Sequence, residues 1–367
     1  MRRTLVLTML CALAMAPAAL ADSRMGVVAR GLDNPRGIDV DRFGFVYVAE
    51  GGRGGSGPCI PGAEGPRQCL GQTGAITLLA FGAQHRFVSG LPSLGDEGTG
   101  DSAEGPADVD VRPPGFGAFV TGLGNDPAVR AQLGAAGSGL ASLSAFTPFG
   151  HVAALADLGT YEAQHDPDAG QPGTVHPDSN PTSVLRAGRG NVAVDAGGND
   201  LLRVRANGRI KTLAVFPSRL VVAPPAAGLP PGTQIPMQAV PTAVAKGPDG
   251  AFYVSQLTGF PFPAGGANVY RVVPGSAPEV YASGFTNVTD LAFDRGGNLY
   301  VVEFARNGLL SGDPAGDVLE IAVDGTRTSL GGDGLVQPYG IAVGRRGEVY
   351  VTNKSRQAGE GEVLRLR

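Results

Sequence analysis

Apolar and polar positions alternate along most of the chain in runs of five or six residues, and glycine-centred turns separate the runs. Pro35-Arg36-Gly37-Ile38-Asp39-Val40 leads through Gly44 into Phe45-Val46-Tyr47-Val48-Ala49-Glu50. A period of two marks a half-buried strand, and short turns between such runs predict antiparallel hairpins. The phrase then returns. Pro338-Tyr339-Gly340-Ile341-Ala342-Val343 leads through Gly347 into Glu348-Val349-Tyr350-Val351-Thr352-Asn353, with related copies from Pro241 to Gln256 and from Val288 to Glu303. Weaker copies begin at Pro106 and Pro181, which makes six.

Self-similarity of this kind signals a repeat architecture. Each copy continues into a third and usually a fourth strand, as in Asp317–Ile321 with Thr326–Leu330 and in Asp200–Val204 with Ile210–Ala214. Four antiparallel strands per unit describe the blade of a β-propeller. The predicted fold is therefore all-β, a six-bladed β-propeller. After Gly361-Glu362-Val363-Leu364-Arg365-Leu366 the last blade still lacks its outer strand. Met25 to Leu32 resembles the fourth strand at Pro278–Phe285, so the N-terminal strand is expected on the last blade, closing the ring and removing a free edge.

The first 21 residues read differently. Arg2 and Arg3 precede an apolar run from Leu5 to Leu20, which ends in Ala19-Leu20-Ala21. This is the pattern of a cleaved signal peptide, leaving residues 22–367 as one propeller domain, secreted or periplasmic, with no membrane insertion. Of the two cysteines left, Cys59 and Cys69 stand close together in a Gly/Pro-rich stretch, and an oxidising compartment favours a disulfide between them. The alternatives are free thiols or a zinc site, for which no further ligand stands at suitable spacing.

Composition agrees with short strands and tight turns: 58 Gly, 29 Pro and only 17% charged residues. A net charge of −4 with scattered Lys and Arg excludes the basic stripe of a nucleic-acid partner. The segments 51–73, 122–150, 161–180, 216–240 and 257–266 interrupt or join blades, with one short helix expected over Asp126–Leu133. Phe149, Phe260 and Phe262, set among prolines and glycines, are candidates for an apolar rim or for plugs that fill gaps over the blades.

The repeat phrase resembles the NHL-type repeat. The longer segments Asp178-Ser179-Asn180-Pro181, Asp195 to Leu202, Met237 to Thr242, Leu257 to Pro263 and Gly284 to Phe293 resemble the ScyD/ScyE family of secreted propeller proteins. That resemblance implies fold and export and brings no activity with it. More distantly, the architecture is similar to gluconolactonases and strictosidine-synthase-like proteins, an analogy of fold.

Propeller ligands bind at the mouth of the central channel, where the innermost strands begin. The lip positions are Asn34, Glu104, Asn180, Gln238, Asn287 and Gln337. Amides before proline are also ordinary turn formers, which is the competing reading. Two residues further in, counted from the first residue of each copy, the series Gly37, Asp108, Ser183, Ala243, Asp290, Gly340 places aspartate on blades two and five, facing across the channel, where capping of backbone N–H groups is the competing reading. Opposed carboxylates flanked by amide oxygens suit a hard cation such as Ca²⁺. A further series, Glu50, Asp195, Gln256, Glu303 and Asn353, ends the second strand of five blades and is expected to hold turns. The acidic run Asp96, Glu97, Asp101, Glu104 reads as a solvated loop or as an aid to cation binding. His85, His151, His165 and His176 show no ligand spacing, and no Gly-x-Ser-x-Gly elbow is present.

Two functions follow as expectations. The first is a monomeric, non-catalytic binding or scaffold propeller for a small molecule or protein partner outside the cytoplasm. The second is a Ca²⁺-dependent lactonase, gluconolactonase-like, with Asp108 and Asp290 as metal ligands.

Overall fold

The computed structural model describes residues 25–62, 65–112, 115–174 and 177–367; the signal peptide read over 1–21 and His176 lie outside them. Six antiparallel sheets form the blades of the ring. Their innermost strands are Pro35–Val40, Pro106–Arg112, Pro181–Ala187, Pro241–Lys246, Val288–Phe293 and Ile341–Val343, on blades one to six. Four of these open on proline, which has no N–H to donate and is tolerated where a ladder starts.

The core is divided among the gaps between blades. One apolar cluster joins Tyr47, Ala49 and Ile76 of blade one to Val109, Phe119 and Phe146 of blade two. Another joins Val192, Val194 and Leu201 of blade three to Val244, Val254 and Tyr270 of blade four. The remaining four gaps are filled in the same way. Alternation explains this division, because successive side chains of a strand point to opposite faces and each face meets a different neighbour.

The ring closes as expected. Gly26–Asp33 pairs antiparallel with Ala358–Arg365, from Gly26 opposite Arg365 to Asp33 opposite Ala358. Ala29 and Leu32 enter the cluster between blades six and one. A polar buckle lies beside them. Asp33 and Glu50 are buried, Glu50 accepts from the Asp33 N–H at 2.7 Å, and Thr77 donates to Glu50. Arg53 and Arg86 both reach Asp33, and Arg86 also binds Glu50 at 3.0 Å.

The insertions depart from the repeat. In blade one, Gln68–Ala80 and Ala83–Asp96 form a hairpin longer than the blade. Its upper part carries the bridge Cys59–Cys69, whose sequence separation is 10. A loop this short gains about 2–3 kcal/mol on closure in the chain-entropy model. Beneath the bridge, Ile60, Leu70 and Leu94 pack on Leu123, Leu133 and Leu140 of the 122–150 insertion. The helix expected over Asp126–Leu133 is a 3₁₀ turn, Pro127–Val129, capped by Asp126 and followed by one α-turn, Arg130–Leu133. An unanticipated helix, Leu158–His165, is capped by Asp157. Residues Arg219–Val222 and Gln234–Met237 pair as a separate ribbon.

Candidate functional site

The inner edge of each innermost strand faces the channel with unpaired backbone groups. Side chains from neighbouring blades satisfy them at all six interfaces. Asp39 accepts from Val111 N–H at 2.7 Å, Asp108 from Val184 N–H at 2.9 Å, and Ser183 from Val244 N–H at 3.3 Å. Thr242 donates to Val288 O at 2.8 Å, Asp290 accepts from Ile341 N–H at 2.8 Å, and Thr352 donates to Arg36 O at 2.8 Å. Buried backbone groups left unpaired would be costly, so these contacts tie the ring together around its axis.

Above this ring lies a cavity of about 350 Å³, within the range of small-molecule sites. Its walls differ. Arg36, Tyr339, Glu104, Asn180 and Gln238 form a polar side, and Leu257, Phe262, Phe304 and Leu309 form an apolar side. The blade-one hairpin overhangs the mouth through Gln68 and Asp96. Arg36 lies 4.9 Å over the Tyr339 ring, donates to Ala103 O at 2.9 Å and pairs with Glu104 at 3.4 Å. Enclosure works against the guanidinium charge, but Glu104 and Tyr339 outweigh it and raise its pKa. Burial pushes the Tyr339 phenol up to about 12, so it stays protonated and able to donate.

Three of the six lip positions, Glu104, Asn180 and Gln238, line this cavity. The other three do not. Asn34 is buried and donates to Gly52 O and Gly100 O, while Asn287 donates to Leu257 O and accepts from Leu309 N–H. Asn34, Asn287 and Gln337 take left-handed backbone conformations, with φ of 49°, 47° and 44°. Asparagine tolerates that region through local hydrogen bonding, which explains its use at the strand entry. The second series does hold backbone: Glu50, Asp195, Glu303 and Asn353 accept from Asp33, Asn180, Thr286 and Val336 N–H, and Gln256 accepts from Asn268 N–H. Of the phenylalanines, Phe262 lines the cavity, Phe260 stacks edge-on against it, and Phe149 is 85% exposed.

Sequence reading passed over the layer between lip and aspartates. Arg36, Thr182, Thr242, Thr289 and Tyr339 all line the cavity, each directly after the first residue of its repeat phrase or its proline. Three threonines in one register on consecutive blades were the available signal. Thr182 is 7% exposed, and its hydroxyl has no protein partner.

Below the cavity, Gly37 and Gly340 bring the strands close together. A Cβ on Gly37 would collide with Asp108 Oδ1, and one on Gly340 with Arg36 O. Burial pushes Asp39 and Asp108 up to about 7. Asp290 rises well above the carboxylate range through burial and then the charge of Asp108, so the two aspartates do share one field. Their oxygens are already engaged. Asp108 accepts from Val109 N–H, Val184 N–H and Ser183 Oγ; Asp290 accepts from Leu291 N–H and Ile341 N–H. The rest of the layer is Gly37, Gly340, Ala243 and Ser183, whose hydroxyl is spent on Asp108 and the Val244 N–H. Calcium wants six to eight oxygens, and this layer does not build such a cage.

A pH dependence follows. Carboxyls with raised folded-state pKa bind more protons folded than unfolded, so stability is full below about pH 4 and falls as pH rises toward the folded values. For Asp39 and Asp108 that window runs from about 4 to about 7. Thermal scans of metal-free protein should show Tm falling from pH 5 to pH 8, and Asp290→Asn should flatten the decline. A Tm that climbs across this range contradicts the assignment.

No protein-family model matches the chain, and no curated protein matches it. Solved structures do. A Bacteroides thetaiotaomicron VPI-5482 protein of unknown function aligns with a TM-score of 0.53 at 10% identity, over 94% of this chain and 72% of that one. A Thermus thermophilus protein assigned as an oxidoreductase (glucose dehydrogenase) aligns at 0.51 and 18%, over 93% and 99%. The calcium-binding protein regucalcin from Agrobacterium tumefaciens C58 aligns at 0.47 and 13%, over 92% and 93%. For the Bacteroides and Thermus proteins, at these identities, the likeness is one of fold.

Proposed function

We propose that the protein is an exported, monomeric binding propeller of the ScyD/ScyE type. Its channel mouth accepts a small molecule with an apolar body and a hydroxyl- or carbonyl-bearing end. The single observation behind this reading is the mixed lining of the cavity, with Arg36, Tyr339, Glu104, Asn180 and Gln238 beside Leu257, Phe262, Phe304 and Leu309. Such a lining suits a ligand with an apolar body and a few polar groups that fix its orientation. The disulfide points to an oxidising, non-cytoplasmic compartment, and no helix among the described residues is long and apolar enough to cross a membrane.

The other reading, a calcium-dependent lactonase, draws on the field shared by Asp108 and Asp290. Against it stands the engagement of both carboxylates with backbone N–H groups. Binding is therefore preferred.

The test is a fluorimetric screen of hydroxylated aromatics, aromatic carboxylates and lactones, with hits repeated on Thr182→Val and Phe262→Ala. Thr182→Val breaks no protein hydrogen bond, so the fold should be as stable as before. Phe262→Ala, which removes part of the apolar lining, should lower ligand affinity by about tenfold. Hits that ignore both substitutions would place the binding elsewhere, and turnover of a lactone would favour the hydrolase.

A further inference from the structure

Blade three carries a second acidic group on the far side of the cavity wall. The helix Leu158–His165 turns Glu162 inward, and the chain then bends through Asp166, in a left-handed conformation with φ of 40°, to Asp168. One oxygen from each of Glu162, Asp166 and Asp168 lies within 4.8 Å of the others. Behind them sits the blade-three turn from Asp195 to Asp200. Glu162 is 1% exposed and Asp200 is fully buried, and neither carboxylate has a donor on either oxygen.

Asp195, equally buried, shows what satisfaction looks like here. It accepts from Ser179 Oγ, Asn180 N–H and Gly198 N–H. Glu162 has nothing comparable. Its Oε2 is pressed against the turn, 2.7 Å from where a Cβ on Gly198 would stand, so that glycine leaves room for the carboxylate. The carboxylates of Asp195, Asp168, Asp166 and Asp178 crowd around Glu162, and those of Asp195, Glu162 and Asp168 around Asp200. Buried carboxyl groups with no donor are costly, and a cation set among them would relieve that cost.

We propose that Glu162, Asp166 and Asp168, backed by Asp200, hold a calcium ion that pins the 166–174 segment to the 195–200 turn of blade three. The donors are all oxygen, which selects a hard cation over zinc. Calcium bonds of 2.3–2.6 Å set ligand oxygens up to roughly 5 Å apart, the spacing found here. The three ligands come from a helix end and an irregular loop. That irregularity suits calcium's flexible coordination better than the strict octahedron and retained waters of magnesium.

The site bears on the cavity. Asn199 donates to Asp168 Oδ2 at 2.7 Å and to Gln238 Oε1 at 3.2 Å, and Ala196 and Gly197 of the same turn line the cavity. The ion would therefore brace one wall of the pocket without entering it. The proposal does not depend on what the pocket binds.

The experiment uses the full mature chain, freed of metal with EDTA and desalted. Calcium binding is read by equilibrium dialysis and Tm is read with and without 1 mM CaCl₂, roughly the level that saturates extracellular calcium modules. The expectation is one ion per chain and a clear upward shift in Tm, with magnesium giving less. Glu162→Gln should weaken calcium binding by about 100-fold or more, since ligand charge sets affinity. In EDTA it should unfold at the same temperature as the parent or higher, because a buried acid without a partner has been removed. Asp166→Asn, at a less buried position, gives the same answer should Glu162→Gln fail to fold. The Asp108→Asn/Asp290→Asn pair should keep the calcium shift. Absence of binding in the parent, or a shift that survives both Glu162→Gln and Asp166→Asn, overturns the proposal. A shift lost only in the channel pair moves the ion to the channel and overturns it equally.

Discussion

Removing residues 25–33 is expected to leave a chain that no longer forms a stable closed ring. The strand Gly26–Asp33 supplies the outer edge of blade six and buries Ala29 and Leu32 against blade one. It also brings Arg30 within 3.0 Å of Glu362 and carries Asp33 of the buckle. Without it, Ala358–Arg365 becomes an unpaired edge and the cluster between blades six and one is opened. The loss should exceed about 5 kcal/mol, a large share of the roughly 5–15 kcal/mol that holds a typical domain folded. Circular dichroism and size-exclusion chromatography of the shortened chain would show lost cooperativity or edge-to-edge association. Adding a peptide of residues 25–33 should restore part of the transition. An unchanged melting curve would mean that the seam contributes nothing.

The second large effect is expected at Arg86. Its guanidinium binds Asp33 at 2.6 Å and Glu50 at 3.0 Å, while the two acids are 1% and 0% exposed at their side chains. Removing one partner of a buried pair strands an uncompensated charge, typically at about 3–5 kcal/mol. Arg86 is 44% exposed, and Arg53 stays on Asp33, so Arg86→Met should cost about 3 kcal/mol, the low end of that range. Urea denaturation would measure it. The double replacement Arg86→Met/Glu50→Gln should recover part of the loss, because the stranded charge goes too. A cost under about 0.5 kcal/mol, usual for a surface substitution, would show that the buckle is solvated and idle.

The fold was legible because its signal repeats: Pro35, Pro106, Pro181 and Pro241 each open an inner strand, and the Tyr-Val pairs mark the second strands. Closure was legible because Val27 to Leu32 reads like a fourth strand without a blade of its own. The channel mouth was half legible. Glu104, Asn180 and Gln238 line it, but Asn34 and Asn287 have the same residue type for a different reason, a left-handed turn. Composition does not separate an amide that faces a ligand from one that satisfies a nearby carbonyl. The helix Leu158–His165 escaped notice because eight residues with Gly159 and Thr160 near the start give no helical period. Glu162 and Asp168 could not be linked to Asp200 beforehand, since a turn of blade three and an insertion meet only once the ring exists.

The seam has a consequence for how the molecule assembles. Arg30 and Glu362 are separated by 332 positions in sequence, yet they touch. Contacts of that separation carry a large loop-closure entropy, and rings built on them fold slowly. Blades one to five contain their own four strands and are able to form as the chain lengthens. Only when Ala358–Arg365 is in place does Gly26–Asp33 find its partner on blade six. Throughout that interval Gly26–Asp33 is a loose edge, and Ala29 and Leu32, which the closed ring buries, lack their cover. A protein assembled in this order becomes rigid only when Ala358–Arg365 arrives.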